Sequence, residues 1–168
     1  MAYGNRSITV TWDDPTAPAK AARGLSGLEY LSAMIRGDYP RAPISKLLDF
    51  ALVEASEGRA AFEVTPGEQH YNPIGIVHGG LLATVLDSAL GCAVHSTLPA
   101  GTAYTTLELH VNLVRAVTME TGRLRAVAEI VHRGRRVATA QGRVTDQAGR
   151  LYAHGTTTCL VMAADPSS

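Results

Sequence analysis

The fold is decided by residues 78–95, which read HGGLLATVLDSALGCAVH. The segment predicts an α-helix that is apolar almost all round, a pattern typical of a buried helix. One carboxylate, Asp87, lies in the middle of this helix. An ionised carboxylate is costly to bury unless it is paired or hydrogen-bonded, so Asp87 requires either polar neighbours or a chemical role.

The polar and small residues of the predicted helix share one face. At about 100° per residue they form a stripe, and large apolar residues cover the remaining surface. The members of the stripe are Gly80, Thr84, Asp87, Ser88, Gly91 and His95. Faces that contact solvent are usually rich in Lys and Glu, and the stripe has neither. We therefore expect it to face a partner subunit or a ligand crevice, with solvent as the alternative.

The sequence around this helix predicts an α+β domain with about six antiparallel strands. Residues 1–23 are expected to be an extended N-terminal lead-in, and residues 24–168 to form a single domain that begins with a short helix over 24–37. Strand patterns cover residues 47–57, 59–65, 107–113, 124–130, 137–145 and 151–162. Short turns between successive strands favour an antiparallel meander that wraps the central helix.

Composition excludes several classes of function. The chain has 168 residues, of which 46% are hydrophobic and 18% charged, with a formal net charge of zero. This balance argues against a nucleic-acid or membrane-surface partner. No apolar run reaches the roughly 18 residues of a membrane span, and no secretory signal opens the chain, so a cytoplasmic protein is expected. Cys92 and Cys159 are expected to be reduced core residues, and no metal or redox cofactor is indicated.

The start of the central helix offers a second chemical group. Backbone N–H groups in a first helical turn lack intrahelical acceptors, and glycines at 79 and 80 would let a substrate oxygen approach them. A glycine pair that only permits a tight turn is the alternative. Gly79 lies eight residues before Asp87, roughly 12 Å along a helix axis, so one small reacting group cannot touch both in one chain. Two antiparallel copies of the helix in a symmetric dimer would bring them together.

These residues resemble a known family. The pattern of Asn72, His78-Gly79-Gly80 and Asp87, followed by TTLELHVN at residues 105–112, is similar to the PaaI-like acyl-CoA thioesterases of the hotdog-fold superfamily. The similarity runs from about residue 47 to 162. It implies a hotdog fold, a long helix wrapped by an antiparallel sheet. It also implies homodimers that join their sheets edge to edge and often pair into homotetramers.

The resemblance also implies catalytic roles. Gly79 would donate its N–H to the thioester carbonyl oxygen, while Asn72 and His78 would hold that oxygen or order the loop. Asp87 of the partner chain would be the nucleophile, or the base that activates water; some relatives carry Glu at this position. Each residue also has a structural reading: a satisfied carboxylate for Asp87, a helix cap for His78, and a turn before proline for Asn72.

Thr106 matches a position at which relatives orient the attacking water, with its neighbour Thr105 as the other possibility and an ordinary strand residue as the structural reading. Because Asp87 must stay ionised, we expect it to contact Thr84, Ser88 or Thr106. Gly80, Thr84 and Ser88 are expected to line the substrate site. Tyr30, Phe50, Phe62 and Tyr71 are the aromatic residues that could line an acyl pocket, although no aromatic cluster is evident in the sequence.

A basic turn, HRGRR at residues 132–136, lies between two predicted strands. Arginine binds phosphate through paired hydrogen bonds, so Arg133, Arg135 and Arg136 are candidates for the phosphates of CoA, with a solvated turn as the alternative. The leading hypothesis is therefore an acyl-CoA thioesterase that uses no cofactor. The alternatives are a non-catalytic protein that binds an acyl-CoA or an aromatic acid, and a hydratase, for which we find no suitably spaced Asp/His pair.

Overall fold

One long helix packs against a six-stranded antiparallel sheet. The structure is a computed structural model that describes residues 4–163. Residues 1–3 of the predicted lead-in and residues 164–168 of the predicted domain lie outside the described residues. The helices are α1 (Thr16–Ala21), α2 (Gly27–Arg36), α3 (Pro43–Leu47) and α4 (Gly79–His95). The strands are β1 (Phe50–Ser56), β2 (Arg59–Val64), β3 (Thr102–Leu113), β4 (Leu124–Arg133), β5 (Val137–Asp146) and β6 (Leu151–Ala163).

Helix α4 is the centre of the hydrophobic core. It contacts all six strands, and its large side chains, such as Leu86 and Leu90, have no exposed surface. The polar stripe is more accessible, because Thr84, Asp87 and Ser88 are only half-buried. The predicted α+β architecture, a long helix against an antiparallel sheet, is therefore confirmed.

The strand order is β1-β2-β4-β5-β6-β3, which corrects part of the predicted meander. Strands β4, β5 and β6 do follow one another, but β3 pairs with β6 at the edge of the sheet instead of lying beside β4. The reason lies in residues 114–123, which form a crossing connection and not a turn. Val117 in this connection is buried, and its carbonyl accepts the N–H of Val77 just before α4.

The N-terminal residues differ from the predicted extended lead-in, because residues 16–21 form helix α1 and residues 22–24 a turn of 3₁₀-helix. The carboxylate of Asp14 accepts the N–H and the hydroxyl of Thr16, which favours a helix start at that point. An ion pair of 2.6 Å between Asp13 and Lys46 docks the segment on α3. Among residues 4–163, no helix is long and apolar enough to cross a membrane.

Candidate active site

Asp87 hydrogen-bonds with a side chain from the edge strand. The hydroxyl of Thr106 on β3 donates to Oδ1 of Asp87 over 3.2 Å. Thr105 precedes it on the strand and therefore points to the opposite face. Thr84 and Ser88 instead donate to the carbonyls of Gly80 and Thr84, at 2.9 and 3.0 Å. The carboxylate thus keeps its second oxygen available on the half-buried stripe.

A β-bulge in β3 makes the contact between Asp87 and Thr106 possible. Thr106 pairs with Cys159 of β6 and Glu108 with Thr158, so Leu107 is an extra residue between two registered pairs. The extra residue reverses the alternation of side chains. As a result Thr106 faces α4 on one side of the bulge, and Val111 and Leu113 face it on the other. Simple alternation along the strand, as predicted from the sequence, would have placed Thr106 and Val111 on opposite faces.

The start of α4 presents one unpaired N–H. His78 is the N-cap, and its Nδ1 accepts the N–H of Gly80 over 2.9 Å. The N–H of Gly79 has no acceptor among the described residues. A Cβ at position 79 would overlap the side chain of Leu113. The N–H of Gly79 is therefore the free donor at this turn, while His78 holds the N–H of Gly80 as its cap; the catalytic role expected for His78 stays a prediction.

Asn72 orders the loop that leads to α4. Its side-chain oxygen accepts the N–H groups of Ile74 and Ile76, at 3.1 and 3.3 Å, and its backbone N–H donates to the carbonyl of Ile76. The side-chain NH₂ of Asn72 has no acceptor among the described residues. Asn72 lines a cleft of about 390 Å³ together with Gly79, Leu113 and Arg115. Asp87 is not part of this cleft, so the two chemical groups of the site lie apart within one chain.

Arg115 is held at the rim of the Gly79 cleft. Its guanidinium lies over the ring of Tyr152, 5.7 Å from the centroid, and its Nε donates to the carbonyl of Leu151 over 3.2 Å. No carboxylate pairs with it among the described residues. The cleft therefore combines a helix N-terminus with a nearby cation and is electropositive.

Aromatic side chains cluster around His95, about two helical turns beyond Asp87. The ring of His95 lies between those of Tyr30 and Tyr104, with centroid distances of 5.9 and 5.4 Å. Tyr39 stacks edge-on against Tyr30 at 5.2 Å. Burial lowers the pKa of His95 and raises that of Tyr104 well above its usual range, so both side chains are neutral near pH 7. The cluster was not predicted from the sequence, because its members are far apart along the chain.

Other aromatic candidates belong to the core, not to a pocket beside Asp87. Phe50 and Phe62 are buried and stack on each other at 5.8 Å. The hydroxyl of Tyr71 accepts the N–H of Met119 over 3.1 Å and so fastens the crossing connection.

Neither cysteine supplies a reactive thiolate, because burial raises the pKa of both thiols. Burial, and then the negative charge of Asp87, raise the pKa of Cys92 to about 12, so its thiol stays protonated and is a poor nucleophile. Both Cys92 and Cys159 are free thiols. Within residues 4–163, no three His, Cys, Asp or Glu side chains lie close enough together to hold a metal ion.

The basic turn lies on the same end of the sheet as Thr106. Register places Thr106 beside Cys159, Cys159 beside Ala138, and Ala138 beside Arg133. Three strand spacings separate the two ends of this row, about 14 Å in all. The side chains of Arg133, Arg135 and Arg136 are exposed, and no described carboxylate pairs with any of them.

Comparison with known proteins identifies the family. A sequence model of the thioesterase superfamily matches residues 74–153, from the loop before α4 into β6. A phenylacetic acid degradation-related protein from Ralstonia eutropha JMP134 is 30% identical in sequence; the match covers 78% of this chain and 98% of that one, with a TM-score of 0.70. The chain belongs to the thioesterase superfamily.

Two further solved structures of this superfamily agree in fold. A thioesterase family protein from Silicibacter pomeroyi is 26% identical, and the match covers 80% of this chain and 99% of that one, with a TM-score of 0.70. The PaaI protein of E. coli, from the phenylacetic acid degradation operon, is 21% identical over 83% of this chain and 97% of its own, with a TM-score of 0.71. The hotdog fold and the resemblance predicted from the sequence are confirmed, and membership of the superfamily supports a thioesterase-type function.

Proposed function

We propose that the protein hydrolyses an acyl-CoA thioester to a free acid and CoA, at a site shared between two protomers. One observation carries this proposal. The N–H of Gly79 at the start of α4 and the carboxylate of Asp87 in its middle both lack a full set of partners among the described residues, but they lie too far apart for one small group to touch both within one chain. Membership of the thioesterase superfamily supplies the class of reaction.

The edge of the sheet supports the dimer. Among the strands that the structure describes, β3 pairs only with β6, so one side of this twelve-residue strand offers unpaired N–H and C=O groups. Leu107 and Leu113 on this strand are 59% and 54% exposed. A second copy that added its own β3 in antiparallel fashion would pair these groups and cover the apolar side chains. The same two-fold axis would lay the α4 helices antiparallel, crossing near Ala83.

A crossing near Ala83 places Gly79 of one protomer opposite Asp87 of its partner, because Ala83 lies midway between them. Two equivalent sites result, each with an N–H donor from one chain and a carboxylate from the other. We propose a homodimer as the smallest active unit, with pairing of dimers into a tetramer as a further step. The two free thiols fit the reducing conditions of a cytoplasm.

The chemistry follows from these groups. Asp87 removes a proton from a water molecule held by Thr106, and the hydroxide attacks the thioester carbonyl carbon. The carbonyl oxygen becomes an oxyanion, which accepts hydrogen bonds from the N–H of Gly79 and the side-chain NH₂ of Asn72. The C–S bond then breaks and the proton on Asp87 passes to the thiolate of CoA. If Asp87 is instead the nucleophile, its oxygen attacks the carbonyl carbon and the C–S bond breaks to release the CoA thiolate. Water then hydrolyses the mixed anhydride to the free acid and the Asp87 carboxylate.

The basic turn is proposed to bind the phosphates of CoA. No carboxylate within residues 4–163 pairs with its arginines, and the turn lies on the same end of the sheet as Thr106. The separation of about 14 Å along the strand row leaves room for the pantetheine arm between the reacting carbonyl and the phosphates. Gly80, Thr84 and Ser88 would line the crevice without taking part in the proton transfer.

The test replaces the carboxylate of Asp87 by an amide of the same shape. Asp87→Asn keeps an oxygen that can accept from Thr106, but it cannot act as a base. We expect kcat for thiol release from acyl-CoA substrates to fall about 10²–10⁴-fold. Glu108→Gln is the matched control, because Glu108 lies on the opposite face of the same strand and contacts Thr158. Its kcat should remain within twofold of the unmodified protein, roughly 0.4 kcal/mol of activation free energy.

Three outcomes separate the hypotheses. Loss of activity in Asp87→Asn alone supports the proposed role. Equal activity of both variants contradicts it. If the unmodified protein binds CoA thioesters but releases no thiol from any of them, the protein is a binding protein on the same fold. Uptake of ¹⁸O from labelled water into Asp87 during a single turnover then identifies a nucleophile, since a general base takes up no label.

A further inference from the structure

The side chain of Tyr104 spans the gap between the edge strand and the central helix. It leaves β3 two residues before Thr106, and its hydroxyl reaches the backbone of Gly91, where a Cβ would lie 2.7 Å from the Tyr104 oxygen. Gly91 lies one helical turn beyond Asp87 on the same stripe, about 6 Å along the axis. The pairs Asp87–Thr106 and Gly91–Tyr104 are thus successive contacts between α4 and β3.

A cavity of about 360 Å³ lies on the far side of this ring. Its walls are mostly apolar and include Leu25 and Tyr30 from the N-terminal segment, His95 from α4 and Ala103 from β3. Leu25 and Tyr30 precede residues 74–153, which match the superfamily model, so this chain builds the cavity in part from sequence outside that match. The hydroxyl of Tyr104 has no acceptor among the residues that the structure describes.

We infer that Tyr104 is the specificity-determining residue that closes the acyl crevice and restricts the enzyme to short acyl groups. This inference rests on the proposed function, because it places the reacting carbonyl at Asp87. An acyl chain that runs from Asp87 along the stripe meets the Tyr104 ring after about 6 Å, room for only a few methylene groups. The ring seated on Gly91 separates this acyl chain from the surface cavity, which neither Asp87 nor Gly91 lines.

Tyr104 can close the acyl crevice because residue 91 is a glycine. The glycine is buried and has no side chain, so the tip of the phenol can touch the helix backbone. A smaller residue at position 104 would remove the partition and join the crevice to the cavity lined by Tyr30 and His95. The joined space would accept a chain several methylenes longer, and each buried methylene favours binding.

The experiment measures kcat/KM for a series from butanoyl-CoA to decanoyl-CoA. In the unmodified protein kcat/KM should fall steeply beyond the length at which the chain meets Tyr104, because a hydrophobic pocket discriminates by roughly 10–200-fold per methylene. Tyr104→Ala should raise the decanoyl-to-butanoyl ratio of kcat/KM at least about tenfold. Tyr104→Phe, which keeps the ring and loses only the hydroxyl, should keep the ratio of the unmodified protein.

The outcomes distinguish this inference from the proposed function. If no acyl-CoA is hydrolysed by the unmodified protein, the proposed function fails and the inference with it. If short acyl groups are cleaved but Tyr104→Ala shows the same ratio as Tyr104→Phe, only the inference fails. Equal cleavage of all lengths by the unmodified protein also overturns it. Tyr104→Val, with a residue suited to a strand, replaces the alanine variant if that one does not fold.

Discussion

Proline at position 79 removes the N–H donor from the proposed oxyanion site and keeps the helix and its N-terminal cap. Gly79 is the first residue of α4, the position at which helices tolerate proline best, because the N–H there has no intrahelical acceptor. The preceding residue, His78, has φ −62° and ψ 129°, an extended conformation that is compatible with a following proline. Gly79→Pro should therefore preserve the helix and its cap while it deletes the donor.

The magnitude follows from the role of that donor. One well-placed N–H in an oxyanion site contributes about 10²–10³ in kcat, or about 2.7–4 kcal/mol. Any side chain at position 79 also displaces Leu113, so the unmodified protein is not a suitable reference for the Gly79→Pro variant. Gly79→Ala carries the same overlap with Leu113 and keeps the N–H, and it is the matched control. We expect kcat for thiol release from butanoyl-CoA to be 10²–10³-fold lower in Gly79→Pro than in Gly79→Ala.

Thermal unfolding checks that the Gly79→Pro and Gly79→Ala variants are equally stable. The two variants should have similar melting temperatures, because neither loses a protein–protein hydrogen bond at this position. If both fold and their kcat values agree within a factor of three, the N–H of Gly79 does not stabilise the transition state. The oxyanion assignment would then be wrong, whatever Asp87 contributes.

Two further predictions concern the shared site and the basic turn. The first mixes equal amounts of the Asp87→Asn and Gly79→Pro proteins and lets them exchange subunits. Half of the resulting dimers pair unlike chains and each of these holds one intact site, so activity should recover to about a quarter of that of the unmodified protein. Sites contained within one chain would give no recovery. Replacing the three arginines within residues 133–136 by Gln should raise KM for acyl-CoA about tenfold or more at unchanged kcat. The same variant should leave KM for an acyl-pantetheine, which lacks the nucleotide, unchanged; a parallel rise would assign the turn to another role.

The sequence predicted the central helix well because its pattern is strong and local. An almost continuous apolar surface with one polar stripe can pack only as a core helix with one open face. Two glycines after His78 also marked where the helix begins. The polar stripe and the start of the helix were predicted from residue spacing alone, and both lie where they were predicted. Local patterns also indicated the six strands, five of them within three residues of their observed ends, while β3 begins five residues before its predicted start.

Features that depend on distant contacts were not predictable in this way. The position of β3 beside β6 depends on how residues 114–123 cross the start of α4, and nothing in that segment distinguishes a crossing from a turn by composition. The bulge at Leu107 is a register effect, which is visible only when β6 is laid against β3. The aromatic cluster joins Tyr30 and Tyr104, 74 residues apart in sequence order.

The bulge matters more for chemistry than for stability. A regular β3 could direct either Thr106 or the apolar residues Val111 and Leu113 toward α4, but not both. With the extra residue, one strand supplies a hydroxyl to Asp87 at one end and an apolar cover for Gly79 at the other. In the proposed dimer these two ends belong to different sites. A single inserted residue would therefore let each chain contribute the carboxylate half of one site and the oxyanion half of the other, which is why we expect neither half to work without a partner.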